Sequence, residues 1–331
     1  MKTYIYAPFI LLVMMLTAVS CENEIPFNLK ENPPKLVMNA LINADSLTNI
    51  LYLNLTGKEH STDIANATVE VRVNGQLRET LRPLPPATEG DTQCRFNITG
   101  TFSPGETVRI DAFTDDGEYH AWAEAIVPER PNEIGNIDTL LVPLKHYYYT
   151  ENYLRYKITL NDRHNENNFY RLIVEKRMTS TIFDNVGRPS TQTEKRYGFI
   201  SREDVVLTDG HPVTEDEEDN GMFNTPANVY GVFDDARFSN NSYVMTIYSL
   251  ATLEGFPTYT EDVKVDVIIR LLSITETEYY YLKALNLLDS GSYDETVNEP
   301  IKYPGNVNGG TGIIGFSTEV SKTVHINKAH L

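Results

Sequence analysis

Apolar and polar residues alternate with a period of two along most of the chain, which predicts β-strands with one buried face. Residues 69–73 show this alternation through three valines. They lead into Asn74 and Gly75, a pair that strongly favours a hairpin turn. Residues 108–123 repeat the arrangement, with a turn predicted at 115–117. The chain is therefore expected to be mainly β, with short antiparallel strands.

The predicted strands fall into two parts. Residues 35–128 are expected to form an immunoglobulin-like β-sandwich, because their strands are short and regularly spaced. Pro128 and Pro131 then interrupt the alternation, so residues 129–138 are assigned to a linker. Residues 139–331 are expected to form a second β-rich, sandwich-like domain that carries one helix.

One segment near residues 275–289 has the period of an α-helix instead. Thr275 and Glu278 fit a capping box, in which Thr275 caps the helix and Glu278 bonds back to the Thr275 N–H. The apolar face of this helix is predicted to contain Tyr280, Ala284, Leu287 and Leu288.

The first 20 residues predict an export signal. Lys2 supplies the positive start, and the apolar run that follows is short for a membrane-spanning helix, which needs roughly 20 apolar residues. Small residues then lead into Cys21, as in a lipoprotein box, where the thiol is acylated and Cys21 becomes the new N-terminus. The alternative is an ordinary cleaved signal with an unmodified Cys21.

Residues 21–34 contain acids, asparagines and a proline pair, so they are expected to form an acylated tether between the membrane and the folded part. Several acyl chains, such as palmitate, would hold the protein on a bilayer. Glu22 and Glu24 resemble acidic signals that direct lipoproteins to the outer face of the outer membrane.

Charge and cysteine content restrict the classes of partner. The formal net charge is −18, because 46 acidic residues outweigh 28 lysines and arginines. Such a surface repels nucleic acid, which we exclude as a ligand. The two cysteines, Cys21 and Cys94, do not provide a disulfide framework, and Cys94 lies in a predicted strand.

No catalytic pattern is recognised in the sequence, and the seven histidines are scattered. Residues 214–220 are acidic but lack the spacing of a calcium-binding loop, so they are interpreted as a solvated loop. The glycine-rich residues 306–315 are interpreted as a turn into a buried strand, with Ile313, Ile314 and Phe316 in the core. The sequence therefore predicts a non-enzyme without cofactor or metal; a surface hydrolase that uses the acidic loop is a third alternative.

An aromatic cluster near the predicted domain junction is the candidate ligand site. It comprises Tyr147, Tyr148, Tyr149 and Tyr153. Clustered tyrosines can stack on sugars or partner proteins. In a strand, however, alternate tyrosines would simply face the core and the solvent.

Several segments, in this order along the chain, resemble the Bacteroidota lipoproteins grouped as domain of unknown function 4249. They are residues 34–42, 105–140, 168–174, 233–243, 274–285 and 299–316. The most specific part is the helix followed by Asn-x-x-Gly-Gly-x-Gly-Ile-x-Gly, here Asn306 to Gly315.

The resemblance implies a surface or outer-membrane lipoprotein that is often encoded beside a TonB-dependent outer-membrane transporter, and it brings no catalytic residues. The expected function is a non-catalytic accessory protein that captures a small molecule, glycan or peptide for such a transporter. The alternative is a surface adhesin or matrix-binding module, which a β-sandwich serves equally well.

Overall fold

The computed structural model describes residues 33–57, 64, 66–88, 93–145, 149–184, 186–201, 203–212, 227–251, 263–289 and 301–326. The chain divides into Met1–Pro34, of which only residues 33 and 34 are described, and Lys35–Leu331, a single compact unit. The predicted signal, Cys21 and nearly all of the tether therefore lie outside the described residues.

The described part of Lys35–Leu331 is mainly β, as predicted. Its strands are β1 (Leu36–Asn43), β2 (Thr48–Leu55), β3 (Ala67–Val73), β4 (Gln76–Leu81), β5 (Cys94–Thr99), β6 (Thr107–Thr114), β7 (His120–Ile126), β8 (Ile137–Lys145), β9 (Thr150–Asn161), β10 (Phe169–Phe183), β11 (Pro189–Tyr197), β12 (Val232–Asp234), β13 (Ser242–Leu250), β14 (Lys264–Ile274) and β15 (Gly310–Ile326). One helix, α1 (Glu276–Asp289), lies between β14 and β15. Within the described ranges, no helix has the length and apolar character needed to cross a membrane.

These strands form three sheets. The largest has the order β11-β10-β14-β15-β1-β2-β5, with β12 also paired to β10. The others have the orders β4-β3-β6-β7 and β13-β9-β8. The large sheet contributes to two separate apolar cores. One core lies against β4-β3-β6-β7 and the other against β13-β9-β8, which gives two sandwich-like layers.

β15 belongs to both sandwiches. Its first half runs parallel to β1, with Leu36 opposite Gly310 and Asn43 opposite Ser317. Its second half runs antiparallel to β14, through to the pair Val265 and Ile326. The first half contributes Ile314 and Phe316 to the first core, and the second half contributes Ile326 to the other.

The linker predicted at residues 129–138 follows Val127 of the first core and contributes Ile134 to the second core, and β8 begins at Ile137. The first half of β15 comes from the part that was assigned to the second domain, yet it packs in the first core. The division at this linker and the immunoglobulin-like topology stay predictions. What the structure establishes is two cores that share one sheet.

Local turn chemistry explains the predicted hairpins. Asn74 and Gly75 connect β3 to β4 with φ angles of 50° and 80°. Two successive residues at positive φ form the turn type that matches the twist of a two-residue hairpin. The turn predicted at 115–117 also lies between paired strands, β6 and β7, and Gly117 has a φ of 73°.

The glycine-rich segment is a turn into a buried strand, as predicted. Asn306 fixes its start, since its side-chain amide donates to the Ile314 carbonyl (2.9 Å) and accepts from the Ile314 N–H (3.0 Å). Ile313, Ile314 and Phe316 are buried. Gly312 has a φ of 113°, and a Cβ there would collide with the β1 backbone at Met38. Close approach of β15 to β1 thus requires glycine at this position.

The predicted helix exists, but its predicted cap and apolar face are wrong. The Thr275 N–H donates to the Phe316 carbonyl (3.0 Å), so it is not available to Glu278. Tyr279 and Leu282 are buried, whereas Tyr280, Leu287 and Leu288, assigned to the apolar face, are exposed. The start of the helix is bonded to β15 instead.

The buried face of α1 includes two polar side chains, Asn286 and Glu278. Asn286 accepts from the Tyr230 N–H and donates to Asn228 Oδ1, both at 3.0 Å. Glu278 packs against Gly315, and its Oε2 has no hydrogen-bond partner among the described residues. Burial raises the pKa of Glu278 to about 7, although the nearby Arg171 charge opposes the shift.

We predict that Glu278→Gln stabilises the protein at neutral and alkaline pH. A raised carboxyl pKa means that the stability of the wild type is complete below about pH 4.5 and falls as the pH rises through 7. The free-energy gap between variant and wild type should therefore grow over this range, to on the order of 2 kcal/mol. Denaturant unfolding at a series of pH values measures it. Glu276→Gln, at an exposed acid of the same helix turn, is the control; equal behaviour of the two variants would refute the assignment.

Gly312→Ala should lower the free energy of unfolding by about 2–4 kcal/mol, because its Cβ forces β15 away from β1. Gly75→Ala is the matched control. Its φ of 80° is also positive, but a Cβ there meets nothing within 4 Å, so about 1 kcal/mol of backbone strain is expected. Denaturant titrations compare the two. If Gly312→Ala costs no more than Gly75→Ala, close contact between β1 and β15 is not a constraint.

Candidate functional site

A cavity of about 300 Å³ lies in the second sandwich and is lined from both of its sheets. β10 and β11 contribute from the large sheet, and β9 and β13 contribute from the sheet that faces it. The side chains that give the cavity its character are four aromatic rings and two cations. They are Tyr153, Lys176, Arg196, Tyr197, Phe199 and Tyr248.

Residues 198–200 form one wall of this cavity by crossing from one sheet to the other. Gly198 follows β11, has a φ of 129°, and donates to the Val174 carbonyl of β10 (3.2 Å). Two residues later, Ile200 pairs with Tyr248 of β13 through two backbone hydrogen bonds of 2.9 and 3.0 Å. The crossing therefore closes the gap between the sheets beside the aromatic residues.

Lys176 occupies a position in β10 where an apolar residue is expected. Alternate side chains of β10 face the second core, and Val174 and Met178 flank Lys176 in that row. Only 6% of Lys176 is exposed. Its Nζ donates to the Leu250 carbonyl at the end of β13, at 3.1 Å. A buried cation therefore lines the cavity from the core side of the strand.

The charge of Arg196 affects the pKa of Lys176. Burial lowers the pKa of Lys176 to about 8, and the Arg196 charge adds to this effect. The two residues are directly opposite in the β10–β11 ladder. Arg196 is partly exposed, and its Nε donates to Glu194 Oε1 at 2.9 Å. Two like charges next to each other disfavour the charged form of the buried one.

Hydrogen bonds hold the polar groups around the cavity. The Tyr248 hydroxyl donates to Glu203 Oε1 at 2.7 Å. Ser249, which also lines the cavity, shares a 2.9 Å hydrogen bond with the hydroxyl of the fully buried Tyr156. Burial raises the pKa of Tyr156 to about 12, so this hydroxyl stays neutral. These hydrogen bonds fix the Tyr248 hydroxyl and the Ser249 hydroxyl beside the cavity.

Of the four predicted site tyrosines, Tyr153 lines the cavity. Tyr149 is 58% exposed and is not among the lining residues. Tyr147 and Tyr148 lie outside the described residues, as do Cys21 and the acidic residues 214–220. Roles for all of these residues stay predictions.

The two cations were not identified from the sequence. A usable signal was present, because the alternation through Tyr170, Leu172, Val174 and Met178 places Lys176 at an inward position. A lysine at such a position carries either a structural or a binding role. Arg196 had no such signal, since its neighbours in β11 are polar and exposed.

A second polar cluster is structural. The Asn168 side-chain amide donates to Asp162 Oδ1 (3.2 Å) and Asp235 Oδ2 (3.0 Å), and the Tyr170 hydroxyl donates to Asp162 Oδ1 (3.0 Å). These bonds join the ends of β9 and β10 to the turn that precedes β13. Across the described ranges, no group of three acidic, histidine or cysteine residues is arranged to hold a metal ion.

We predict that Lys176→Met makes the protein more stable at pH 7, by a net of about 1–2 kcal/mol. The native state disfavours the charged form of Lys176, so the free energy of unfolding of the wild type should rise between about pH 8 and 10.5. The difference in this free energy between Lys176→Met and the wild type should therefore become smaller over the same range. The variant also loses the hydrogen bond from Lys176 to the Leu250 carbonyl, which reduces its gain in stability by about 1 kcal/mol. Unfolding from pH 6.5 to 9.5 measures this. Lys157→Met, at an exposed strand position, is the control; a gap that does not change with pH would rule out a buried charge.

Comparison with known proteins identifies the family of this chain. The family described as "Domain of unknown function (DUF4249)" matches residues 22–323. A search of curated proteins finds no match. A crystal structure of a DUF4785 family protein from Legionella pneumophila is similar at 8% identity, over 72% of this chain and 52% of that protein. Its TM-score of 0.21 is too low to assign a common fold, and the chain spans about half of its length. The match over residues 22–323 confirms the predicted family, and the chain belongs to DUF4249.

Proposed function

We propose that this protein is a lipid-anchored lipoprotein of the outer membrane that captures a ligand for a TonB-dependent transporter. The observation that carries the proposal is the cavity between β10–β11 and β9–β13, where aromatic rings and two cations converge. Cavities that combine apolar walls with a few polar groups are typical ligand sites.

The anchor and the tether give the cavity a location. Acylation at Cys21 would hold the protein on the membrane, and residues 21–34 would lift the folded part away from it. Glu22 and Glu24 favour the outward face. In that place, a binding protein would raise the local concentration of a nutrient next to a transporter.

The chemistry of the cavity favours binding over catalysis. Tyrosines combine a large apolar ring with a polar hydroxyl, so they contact sugars, peptides and planar molecules alike. Lys176 and Arg196 line the cavity and would supply charge-assisted hydrogen bonds to a polar ligand. Aromatic rings and cations of this kind suit the selective binding of a ligand, and we propose a non-catalytic role because of them.

One observation favours the alternative of an adhesin. β8 is an outer strand of its sheet, and Leu140 at its centre is 49% exposed next to the exposed Leu141. An exposed apolar outer strand can pair with a strand of another protein. This surface would suit attachment to a protein matrix, and a deletion strain that loses attachment but keeps nutrient-dependent growth would favour it.

Recovery of a transporter tests the proposal. The full chain, tagged at its C-terminus and extracted from outer membranes with mild detergent, should bring a TonB-dependent barrel with it in mass spectrometry. Cys21→Ala should instead appear in the soluble fraction, fail to incorporate labelled palmitate, and recover no barrel. Repeated recovery of the anchored protein without any transporter would count against capture for transport. Membrane association of Cys21→Ala with palmitate still incorporated would refute the anchor.

A further inference from the structure

We propose that the start of α1 is a pH-operated switch between two sets of hydrogen bonds. With Glu278 protonated, Thr275 is bonded to Phe316 of β15 and the first turn of the helix packs on that strand. When Glu278 loses its proton, Thr275 exchanges Phe316 for Glu278 and the first turn leaves β15. This inference goes beyond the proposed function, because it concerns the contact between α1 and β15 and not the cavity of the second sandwich.

The first argument is the surroundings of the Glu278 carboxyl group. Only 1% of Glu278 is exposed, and its Oε2 has no hydrogen-bond partner among the described residues. Oε2 lies against β15, where a Cβ on Gly315 would collide with it. An ionised carboxylate at such a place loses its hydration and gains no hydrogen bond, whereas the neutral acid loses much less. The packing of α1 on β15 therefore favours the protonated form.

The second argument is that Thr275 has two alternative partners. Its N–H donates to the Phe316 carbonyl (3.0 Å), and its Oγ1 accepts from the Phe316 N–H (3.4 Å). The spacing Thr-x-x-Glu also fits a capping box, in which the same N–H would donate to the Glu278 carboxylate and the same Oγ1 would accept from the Glu278 N–H. A carboxylate is a stronger acceptor than a carbonyl, and the N-terminus of a helix favours negative charge. Loss of the Glu278 proton therefore favours the second set of bonds.

One neighbouring charge opposes the switch. Arg171 of β10 favours the ionised form of Glu278 in the packed state. Within the described part of the chain no ion pair joins the two side chains, and Arg171 Nε donates to the Tyr230 carbonyl instead, at 3.2 Å. The Arg171 charge therefore reduces the effect of burial on the pKa of Glu278 but does not cancel it.

The other charged groups on α1 and on the strands beside it are exposed or have partners of their own. Glu276 is exposed. The pairs are Lys283 with Asp209, Asp289 with Tyr230, Asp234 of β12 with Tyr279, Glu319 of β15 with Arg270 of β14, and Glu175 with Arg177 on β10. The hydroxyls of Tyr230, Tyr279 and Tyr281 have raised pKa values, so they stay neutral where Glu278 titrates. Glu278 is therefore the group at this contact whose charge changes near neutral pH.

The second half of α1 has contacts that hold it in place. Asn286 is bonded to Tyr230 and to Asn228, both at 3.0 Å, and Lys283 Nζ donates to Asp209 Oδ1 at 3.0 Å. These partners do not belong to β15, so their bonds can persist when Thr275 leaves Phe316. The movement is therefore expected to be confined to the first turn of the helix.

The pKa of Glu278 sets the direction and the range of the switch. It is about 7 in the packed state, against 4.5 for an ordinary glutamate. The equilibrium constant for release should therefore be lowest below about pH 4.5, rise with pH, and level off above pH 7. The ratio of the two proton affinities corresponds to a total change of about 300-fold in this constant.

Hydrogen exchange of the Phe316 N–H measures the release, because Thr275 Oγ1 is its partner in the packed state. The full chain in nonionic detergent is exchanged at pH 5 and at pH 7.5, without urea and with low concentrations of urea. Mass spectrometry with electron-transfer fragmentation resolves single amides, and each rate is divided by the intrinsic rate at that pH. The Ile314 N–H, which donates to Asn306 Oδ1 at 3.0 Å, is the internal control.

The protection of Phe316 should fall at least about 10-fold from pH 5 to pH 7.5. It should not depend on urea, because a local release exposes little surface, whereas the protection of Ile314 should fall with urea as in global unfolding. Glu278→Gln should remove the pH dependence at Phe316, since glutamine carries no charge. Glu276→Gln, at the exposed acid of the same turn, should behave as the wild type.

Three results would overturn the inference. Constant protection of Phe316 at the two pH values would show that α1 stays packed when Glu278 ionises. Equal urea dependence at Phe316 and Ile314 would show that ionisation acts through global unfolding alone. A pH dependence that persists in Glu278→Gln would assign the change to another group. The proposed function is unaffected by any of these results, because recovery of the transporter tests it separately.

Discussion

The parallel pairing of β15 with β1 is the contact on which the architecture depends. It joins the strands of the first core to those of the second, so that one sheet contributes to both. Three features meet along this strand. Asn306 fixes its beginning, Gly312 allows its approach to β1, and Phe316 holds the residue before the helix. The glycine-rich segment is thus explained by packing, with no need for a phosphate ligand.

The sequence predicted features that depend on neighbouring residues. Examples are the turn at Asn74 and Gly75 and the location of the helix. A turn depends on two adjacent residues and a helical period on a short segment, so both can be recognised locally. The buried face of α1 was predicted wrongly for a physical reason. Asn286 finds its partners about 60 residues earlier in the chain, at Asn228 and Tyr230, and only the folded structure brings them together. Long-range satisfaction of polar groups overrode the apolar pattern.

The candidate site also combines features that the local sequence predicts with features that depend on long-range contacts. Tyr153 was identified because aromatic residues cluster around it, but the cavity also needs the crossing at Gly198 and the pairing of Ile200 with Tyr248. Those contacts join segments that no short-range pattern links. Lys176 and Glu278 are both buried ionisable groups, and because burial disfavours the charged form of each, we expect each to lower the stability of the fold at neutral pH. Of the two, Lys176 lines the cavity, where a cost in stability commonly marks a functional position, whereas Glu278 packs against Gly315 of β15.

The long separation between β1 and β15 along the chain has a consequence for the order of folding. Leu36 pairs with Gly310 and Asn43 with Ser317, so the first core lacks a central strand until residues 310–317 have been synthesised. Contacts between residues so far apart are slow to form, because the loop must close before they stabilise it. Emerging N-terminal segments would therefore stay incompletely folded during synthesis.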